Sequence, residues 1–95
     1  MAHLATTTQD HAHRSLVELE AGRAEALFAS TLQRSQSPSP DRVRSEVDST
    51  LRRLGTRGCA ERLACEFGDH PDTAVTRMAW ALALIRAVYP TCAAA

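Results

Sequence analysis

The stretch that decides the fold runs from Gly58 to Trp80 and reads Gly-Cys-Ala-Glu-Arg-Leu-Ala-Cys-Glu-Phe-Gly-Asp-His-Pro-Asp-Thr-Ala-Val-Thr-Arg-Met-Ala-Trp. Gly68 suits the residue that ends a helix, and Pro71 suits the first turn of the next one. Phe67, just before the glycine, supplies a large apolar side chain for a core. The stretch therefore predicts two short helices joined by a tight turn.

The spacing within this stretch is close to that of a helix-turn-helix. Ala64 would lie where the two helices approach each other, and Val75 and Met78 would be buried in the second helix. The commonest version of that motif has one residue fewer between the turn glycine and the first buried position of its second helix. The sequence thus predicts a helix-turn-helix-like unit that departs from the common spacing by one position.

Composition favours an all-α fold. The chain has 95 residues, enough for one domain with a modest core, and 44% of them are hydrophobic. Seventeen residues are Ala, the best helix former, whereas Ile, which strands prefer, occurs once. We expect a small four-helix domain over 15–89, with a disordered, mobile arm over 1–14, a linker over 34–39 and a short tail over 90–95.

Caps and apolar spacing set the predicted helix boundaries. Ser15 with Glu18 has the capping-box pattern, and Ser39 with Pro40 suits a helix start. The predicted helices are Ser15–Leu32, Pro40–Leu54, Cys59–Phe67 and Pro71–Val88. The buried faces of the first two are predicted to carry Leu16, Leu19, Ala24, Leu27, Phe28, Leu32, Val43, Val47, Leu51 and Leu54.

All eleven basic residues are Arg, and the formal net charge is zero. The absence of Lys excludes Schiff-base chemistry and the phosphate-binding lysine of a P-loop. Most arginines of the second helix stand four residues from an acid, as in Arg42 with Glu46, Arg44 with Asp48, and Asp48 with Arg52, which predicts ion pairs on a solvated face. A DNA-binding protein would instead use the basic residues Arg52, Arg53, Arg57 and Arg77.

Metal, thiol and catalytic patterns are weak. Asp10, His11 and His13 offer metal-ligand atoms, but nothing in the sequence preorganises them. Cys59 and Cys65 are spaced unlike zinc ligands, so we expect Cys59 in the core and Cys65 packed against the first helix. No catalytic constellation is visible. The sequence therefore predicts neither an enzyme nor a cofactor.

The last predicted helix is apolar almost all round from Met78 to Tyr89. Such a helix has to be covered from several sides, by the other helices or by a partner. The candidate interface residues are Trp80, Leu84, Val88 and Tyr89. A homodimer is slightly favoured over the alternative, in which the first helix folds over the last one and completes a monomer.

No basic segment followed by an apolar run is present at the N-terminus, and the longest apolar stretch is too short to span a bilayer. The odd number of cysteines fits reduced thiols better than a disulfide framework. We therefore expect a cytoplasmic protein without a membrane partner.

Several runs together resemble small Arg- and Ala-rich helical proteins of Streptomyces-type actinobacteria. They are Leu51 to Gly55, Arg57 to Ala60, Glu66 to Pro71 and Thr73 to Trp80, within a region from about Leu27 to Ala87. The resemblance implies a source and a compact domain, and it implies no activity and no site residues.

These observations favour a non-catalytic regulatory or adaptor protein that acts through protein contacts. The alternative is a helix-turn-helix DNA-binding transcriptional regulator. A thiol or metal sensor is a third, weaker hypothesis.

Overall fold

In a computed structural model, the backbone is described over residues 2–90 and the side chains over residues 16–90. The elements are α1 (Ala2–Ala29), a 3-10 turn (Arg34–Gln36), α2 (Pro40–Asp69) and α3 (Pro71–Val88). This part of the chain contains no strand, so the all-α prediction is confirmed. The described chain has three α-helices, and the prediction of four is corrected below.

The first helix begins much earlier than predicted. Its backbone is helical from Ala2, so Ser15 lies inside the helix and does not cap it. No Gly or Pro precedes Gly22, which leaves nothing in this segment to break a helix. The predicted mobility of residues 1–14 is a different property from backbone geometry and stays a prediction. Of the tail, residues 91–95 lie outside the described part.

The linker ends and α2 begins at the residues that the sequence predicts. Ser39 has extended backbone angles, and its hydroxyl accepts a hydrogen bond from the Arg42 amide at 3.2 Å. Pro40 occupies the first turn, where a missing amide proton costs nothing. The predicted boundary is confirmed because it depends only on local capping chemistry.

α2 joins the second and third predicted helices into one element with a kink. Gly55 has φ 70° and ψ 170°, a conformation that other residues rarely adopt, and helical hydrogen bonding resumes directly after it. The predicted end of the second helix at Leu54 is therefore followed by a one-residue break at Gly55, and the chain is helical again before the predicted start of the third helix at Cys59. Gly68, predicted to stop the helix, lies inside α2, which ends one residue later at Asp69.

A single residue, His70, connects α2 to α3. Its amide donates to the Glu66 carbonyl at 2.7 Å, and its own carbonyl accepts from the Ala74 amide at 2.9 Å. His70 therefore ends one helix and starts the next. The connection is shorter than the three to four residues that usually join the helices of a helix-turn-helix.

The core lies where all three helices meet. α1 contributes mainly its C-terminal part, and α3 packs against both other helices. Leu51, Leu54, Met78 and Trp80 pack around the buried cluster. The buried members of the cluster are Ala24, Ala26, Leu27, Ala29, Leu32, Val43, Val47, Cys59, Ala81, Ile85 and Val88.

Some residues predicted to be buried are exposed. Val75 is 58% exposed, although Ala74 beside it is buried, so the core-facing side of α3 is rotated by one position from the predicted one. Leu16 and Leu19 are about half exposed, because the core formed with α2 and α3 covers α1 only further along its length. Ala64 is exposed and marks no close helix approach.

Within the described residues, each helix lacks the combination of length and apolar character that crossing a bilayer requires.

Candidate interaction site around Arg77 and Trp80

Arg77 joins α3 to the end of α1. Its Nε donates to the Phe28 carbonyl at 2.9 Å, and its Nη2 lies 3.0 Å from the carbonyl oxygens of Ser30 and Leu32 and 3.3 Å from that of Leu27. The last carbonyls of a helix have no partner within the helix, and they favour a nearby cation. One guanidinium therefore contacts four carbonyl acceptors, two in the last turn of α1 and two in the segment directly after it.

Aromatic rings surround the same guanidinium. Its central carbon lies 5.0 Å from the ring centre of Trp80 and 5.8 Å from that of Phe28, within cation–π range. Phe28 in turn stacks on Phe67 with ring centres 6.0 Å apart. Burial lowers the pKa of Arg77, and Glu66 acts in the opposite direction. Arginine nevertheless stays charged at physiological pH because its ordinary pKa is so high.

Clefts open on two sides of Arg77. One, of about 230 Å³, lies between the end of α1 and the second half of α2. The other, of about 200 Å³, lies between α3 and the segment that follows α1. The first is lined by Phe28, Ala29, Ser30, Gln33, Arg62, Glu66 and Arg77, and the second by Gln33, Arg34, Thr73, Thr76, Arg77 and Trp80.

The four candidate nucleic-acid contacts do not form one set. Arg52 and Arg53 are exposed and line a shallow cleft on α2 with Ser45 and Ser49. Arg57 has a side chain that is 94% exposed, and its Nε lies 3.6 Å from a Glu61 carboxylate oxygen. Arg77 lies in a different part of the molecule, where its guanidinium contacts four backbone carbonyls.

The predicted ion pairs of α2 are only partly present among the described residues. Arg42 pairs with Glu46 at 3.3 Å, as predicted. Arg44 pairs with Asp41 at 3.0 Å in place of Asp48, and its Nη2 also donates to the Val88 carbonyl at 3.3 Å. Arg44 thus contacts the last turn of α3, which the spacing within α2 could not reveal.

The candidate interface on α3 is largely covered by the chain itself. Val88 is 5% exposed and belongs to the core, so within one chain it leaves almost no surface for a partner. The Arg23 guanidinium lies 3.9 Å from the ring centre of Tyr89, and burial raises the pKa of that tyrosine while Arg23 lowers it. Trp80 and Leu84 are half-buried and keep part of their surface free.

The thiols have contrasting surroundings. Cys59 is buried as predicted, and burial raises the pKa of its thiol, with Glu25 adding to the effect. Cys65 is exposed, so its predicted packing against α1 is wrong. In the described part of the chain, no three His, Cys, Asp or Glu side chains come together as a metal site requires. The side chains of Asp10, His11 and His13 lie outside that part.

A buried hydroxyl on α2 has no partner. Thr50 is fully buried, and its Oγ1 makes no hydrogen bond with the described residues. Such a group costs free energy and carries no ligand chemistry by itself. Its position on the same side of the helix as Val43 and Val47 marks it as a core residue.

Two residues of the site have surroundings other than those predicted from the sequence. Arg34 was assigned only to the linker, and Arg77 was assigned to DNA contact. The available signal was the position of Arg77 directly before the apolar stretch from Met78 to Tyr89, since an arginine next to a buried face needs acceptors from another element. Its acceptors lie 45 to 50 residues away in the sequence.

No protein-family model matches the chain, and neither curated proteins nor solved structures are significantly similar to it.

Proposed function

We propose that the protein is a small non-catalytic regulatory or adaptor module of the cytoplasm that works through contacts with proteins, a second copy of the chain being the first candidate partner. The observation that carries the proposal is an apolar patch on α1. Leu16, Val17 and Leu19 are 54%, 55% and 48% exposed. Single exposed apolar residues are common, but Leu16 and Leu19, three positions apart, lie side by side on the helix and form a patch of the kind that marks interfaces, with Val17 to one side of it.

The patch continues the core-facing side of the helix. Leu16 and Leu27 are eleven residues apart, close to three full turns, so both lie on one side of α1. Leu27 is buried by the other helices, whereas Leu16 is 54% exposed. A second copy with its α1 against this one would place the same patch on both sides of a two-fold axis, which is the usual form of a homodimer.

Sedimentation equilibrium at micromolar concentration tests this proposal. We expect a dimeric mass for the wild type and a monomeric mass for the double variant Leu16→Gln, Leu19→Gln with unchanged helix content. Val75→Gln is the matched control, because Val75 is an equally exposed apolar residue on another helix. A monomeric wild type would remove self-association, and a dimer that both variants retain would place the interface elsewhere.

The second candidate is a helix-turn-helix-like DNA-binding regulator. The observation that favours it is the pair Arg52 and Arg53, which share a cleft lined by no acidic residue. Phosphate contacts in such a protein come from exposed arginines of this kind. Two observations oppose the DNA-binding candidate. The Arg77 guanidinium already contacts backbone carbonyls at the end of α1. Asp69 and Asp72 flank the start of α3, where their charges would repel a phosphate.

Fluorescence anisotropy with labelled duplex DNA separates the two candidates. We expect little binding at physiological ionic strength. Sub-micromolar binding that weakens with salt, and that the double variant Arg52→Ala, Arg53→Ala removes, would support the DNA candidate, because each phosphate contact releases counterions.

A further inference from the structure

One side of α3 forms a groove with the segment that follows α1. Two adjoining depressions, of about 200 Å³ and 340 Å³, share Arg34, Thr76 and Trp80 as lining residues. We call this surface the Arg34–Trp80 groove. Its remaining lining residues are Gln33, Thr73, Arg77, Ala79 and Ala83.

The floor of the groove is apolar and includes an aromatic anchor. Trp80 packs against the core on one side and lines both depressions on the other. Ala79 and Ala83 have short side chains that leave space beside the indole ring. Tryptophan is enriched among the residues that dominate binding energy at protein interfaces, since it offers a large, rigid contact area.

The rim of the groove is cationic. Arg34 is exposed, and the lining includes no Asp or Glu. Arg77 commits its Nε and Nη2 to backbone carbonyls in and just after the last turn of α1, whereas its Nη1 makes no hydrogen bond to a described residue. The two N–H groups of Nη1 are therefore without a partner among the described residues, on a guanidinium that its other two nitrogens hold in place. Guanidinium groups held in this way favour carboxylates, which they bind with charge-assisted hydrogen bonds.

We propose that the Arg34–Trp80 groove binds an acidic peptide segment of a partner protein. A carboxylate of Asp or Glu would contact Arg34 and the Nη1 of Arg77, and a neighbouring apolar side chain would pack on Trp80 between Ala79 and Ala83. The inference rests on the proposed contact function and specifies a partner class for it. It uses a different surface from the Leu16 and Leu19 patch, so either can fail without the other.

A peptide fits this groove better than a nucleic acid does. Single-stranded nucleic acids also stack on aromatic side chains, but their binding proteins follow the backbone with a continuous cationic track. Here Arg34 supplies most of the free charge, because Arg77 is already offset by carbonyl dipoles, and the formal net charge of the chain is zero. Glu66 also lies on the opposite side of Arg77. A single carboxylate matches this charge distribution, and a row of phosphates does not.

Trp80 is the only tryptophan in the chain, so its fluorescence reports directly on the groove. The probe is a Gly-Ser-flanked peptide with the core Glu-Asp-Leu-Asp-Glu-Leu, and its uncharged counterpart carries Gln-Asn-Leu-Asn-Gln-Leu. We expect the acidic peptide to shift the Trp80 emission saturably at micromolar to sub-millimolar concentration and the uncharged peptide to bind about tenfold more weakly or less.

Charge reversal locates the site. Arg34→Glu should weaken binding of the acidic peptide by at least about tenfold, whereas the matched control Arg57→Glu, an exposed arginine on α2, should leave it unchanged. Circular dichroism checks that both variants are folded. Trp80→Phe, followed by anisotropy of a labelled peptide, should also weaken binding. The double variant Leu16→Gln, Leu19→Gln should bind the peptide as the wild type does, whatever its oligomeric state.

Three results with the peptides would overturn the inference, and a fourth with an oligonucleotide would also do so. The first three are the absence of an emission change with the acidic peptide up to millimolar concentration, equal binding of the acidic and uncharged peptides, and unchanged binding by Arg34→Glu. Tighter binding of a single-stranded oligonucleotide than of the acidic peptide would assign the groove to nucleic acid and likewise overturn it.

Discussion

Leucines at the two ends of the part of α1 whose side chains are described, residues 16–29, have opposite surroundings. Leu27 is buried completely, while Leu16 and Leu19, on the same apolar side, are about half exposed. The difference arises because α3 ends at Val88, and its last residues contact α1 near Glu20 and Arg23. Apolar spacing therefore defines a face of a helix, and the lengths of the neighbouring helices decide how much of that face is covered.

The largest expected effect tests the buried region directly. Leu27→Ala should lower the free energy of unfolding by about 2–5 kcal/mol, because it leaves a cavity in the core. Leu19→Ala, the same change on the exposed part of α1, should cost less than about 1 kcal/mol. Urea denaturation followed by circular dichroism measures both. Similar losses for the two variants would contradict the difference in burial.

The next effect concerns the end of the buried region. Arg77→Met leaves the last carbonyls of α1 without their cationic donor and should cost about 2–3 kcal/mol. Arg77→Lys keeps the charge, but an ammonium cannot span the same acceptors, so only part of the stability should return. Arg57→Met, at an exposed arginine, should change stability by less than about 0.5 kcal/mol. If Arg77→Met were as mild as the control, the contacts with α1 would contribute little.

Gly22 lies between the two regions of α1. A Cβ added there meets no atom within 4 Å, so Gly22→Ala should raise the free energy of unfolding by about 0.5–1 kcal/mol through helix propensity. Gly55→Ala has equal space but a φ of 70°, and it should lower stability by about 1–2 kcal/mol. Thermal unfolding distinguishes the opposite signs. A destabilising Gly22→Ala would indicate that α1 is interrupted between its two regions.

The smallest effect is an ion pair at the same junction. The Arg86 Nε lies 2.9 Å from a Glu20 carboxylate oxygen, with 63% of the arginine side chain exposed. A double-mutant cycle with Glu20→Gln and Arg86→Gln should give a coupling of about 0.2–1 kcal/mol that decreases with salt. A coupling well above this range, or one insensitive to salt, would mean that the pair is more strongly shielded from solvent than the structure indicates.

Of the candidate site, the sequence identified Trp80 as a contact residue and Arg77 as a charged residue of interest. The sequence could not predict that the Arg77 guanidinium lies beside the Trp80 ring. Arg77 was grouped with Arg52, Arg53 and Arg57 because all four are basic, whereas its carbonyl acceptors come from a helix far away in the chain. Hydrogen bonds between distant segments produce no periodic pattern in either segment. The Arg77 contacts and the groove beside them could therefore not be predicted from the sequence.

The structural features that the sequence predicted correctly depend on local chemistry. Alanine-rich composition predicts an all-α fold, the hydroxyl of Ser39 and the ring of Pro40 define the start of α2, and the spacing of Val43 and Val47 defines its buried face. Each depends on groups within about one helical turn, where backbone geometry dictates which atoms meet.

Tertiary structure alone decided what depends on distant groups. The exposure of Val75 and Leu16, the kinked continuity of α2 through Gly55, and the acceptors of Arg77 follow from how three helices of unequal length pack together. The burial of a side chain depends on the atoms that surround it in space, and most of those atoms belong to other helices, so its own neighbours in the sequence do not determine it.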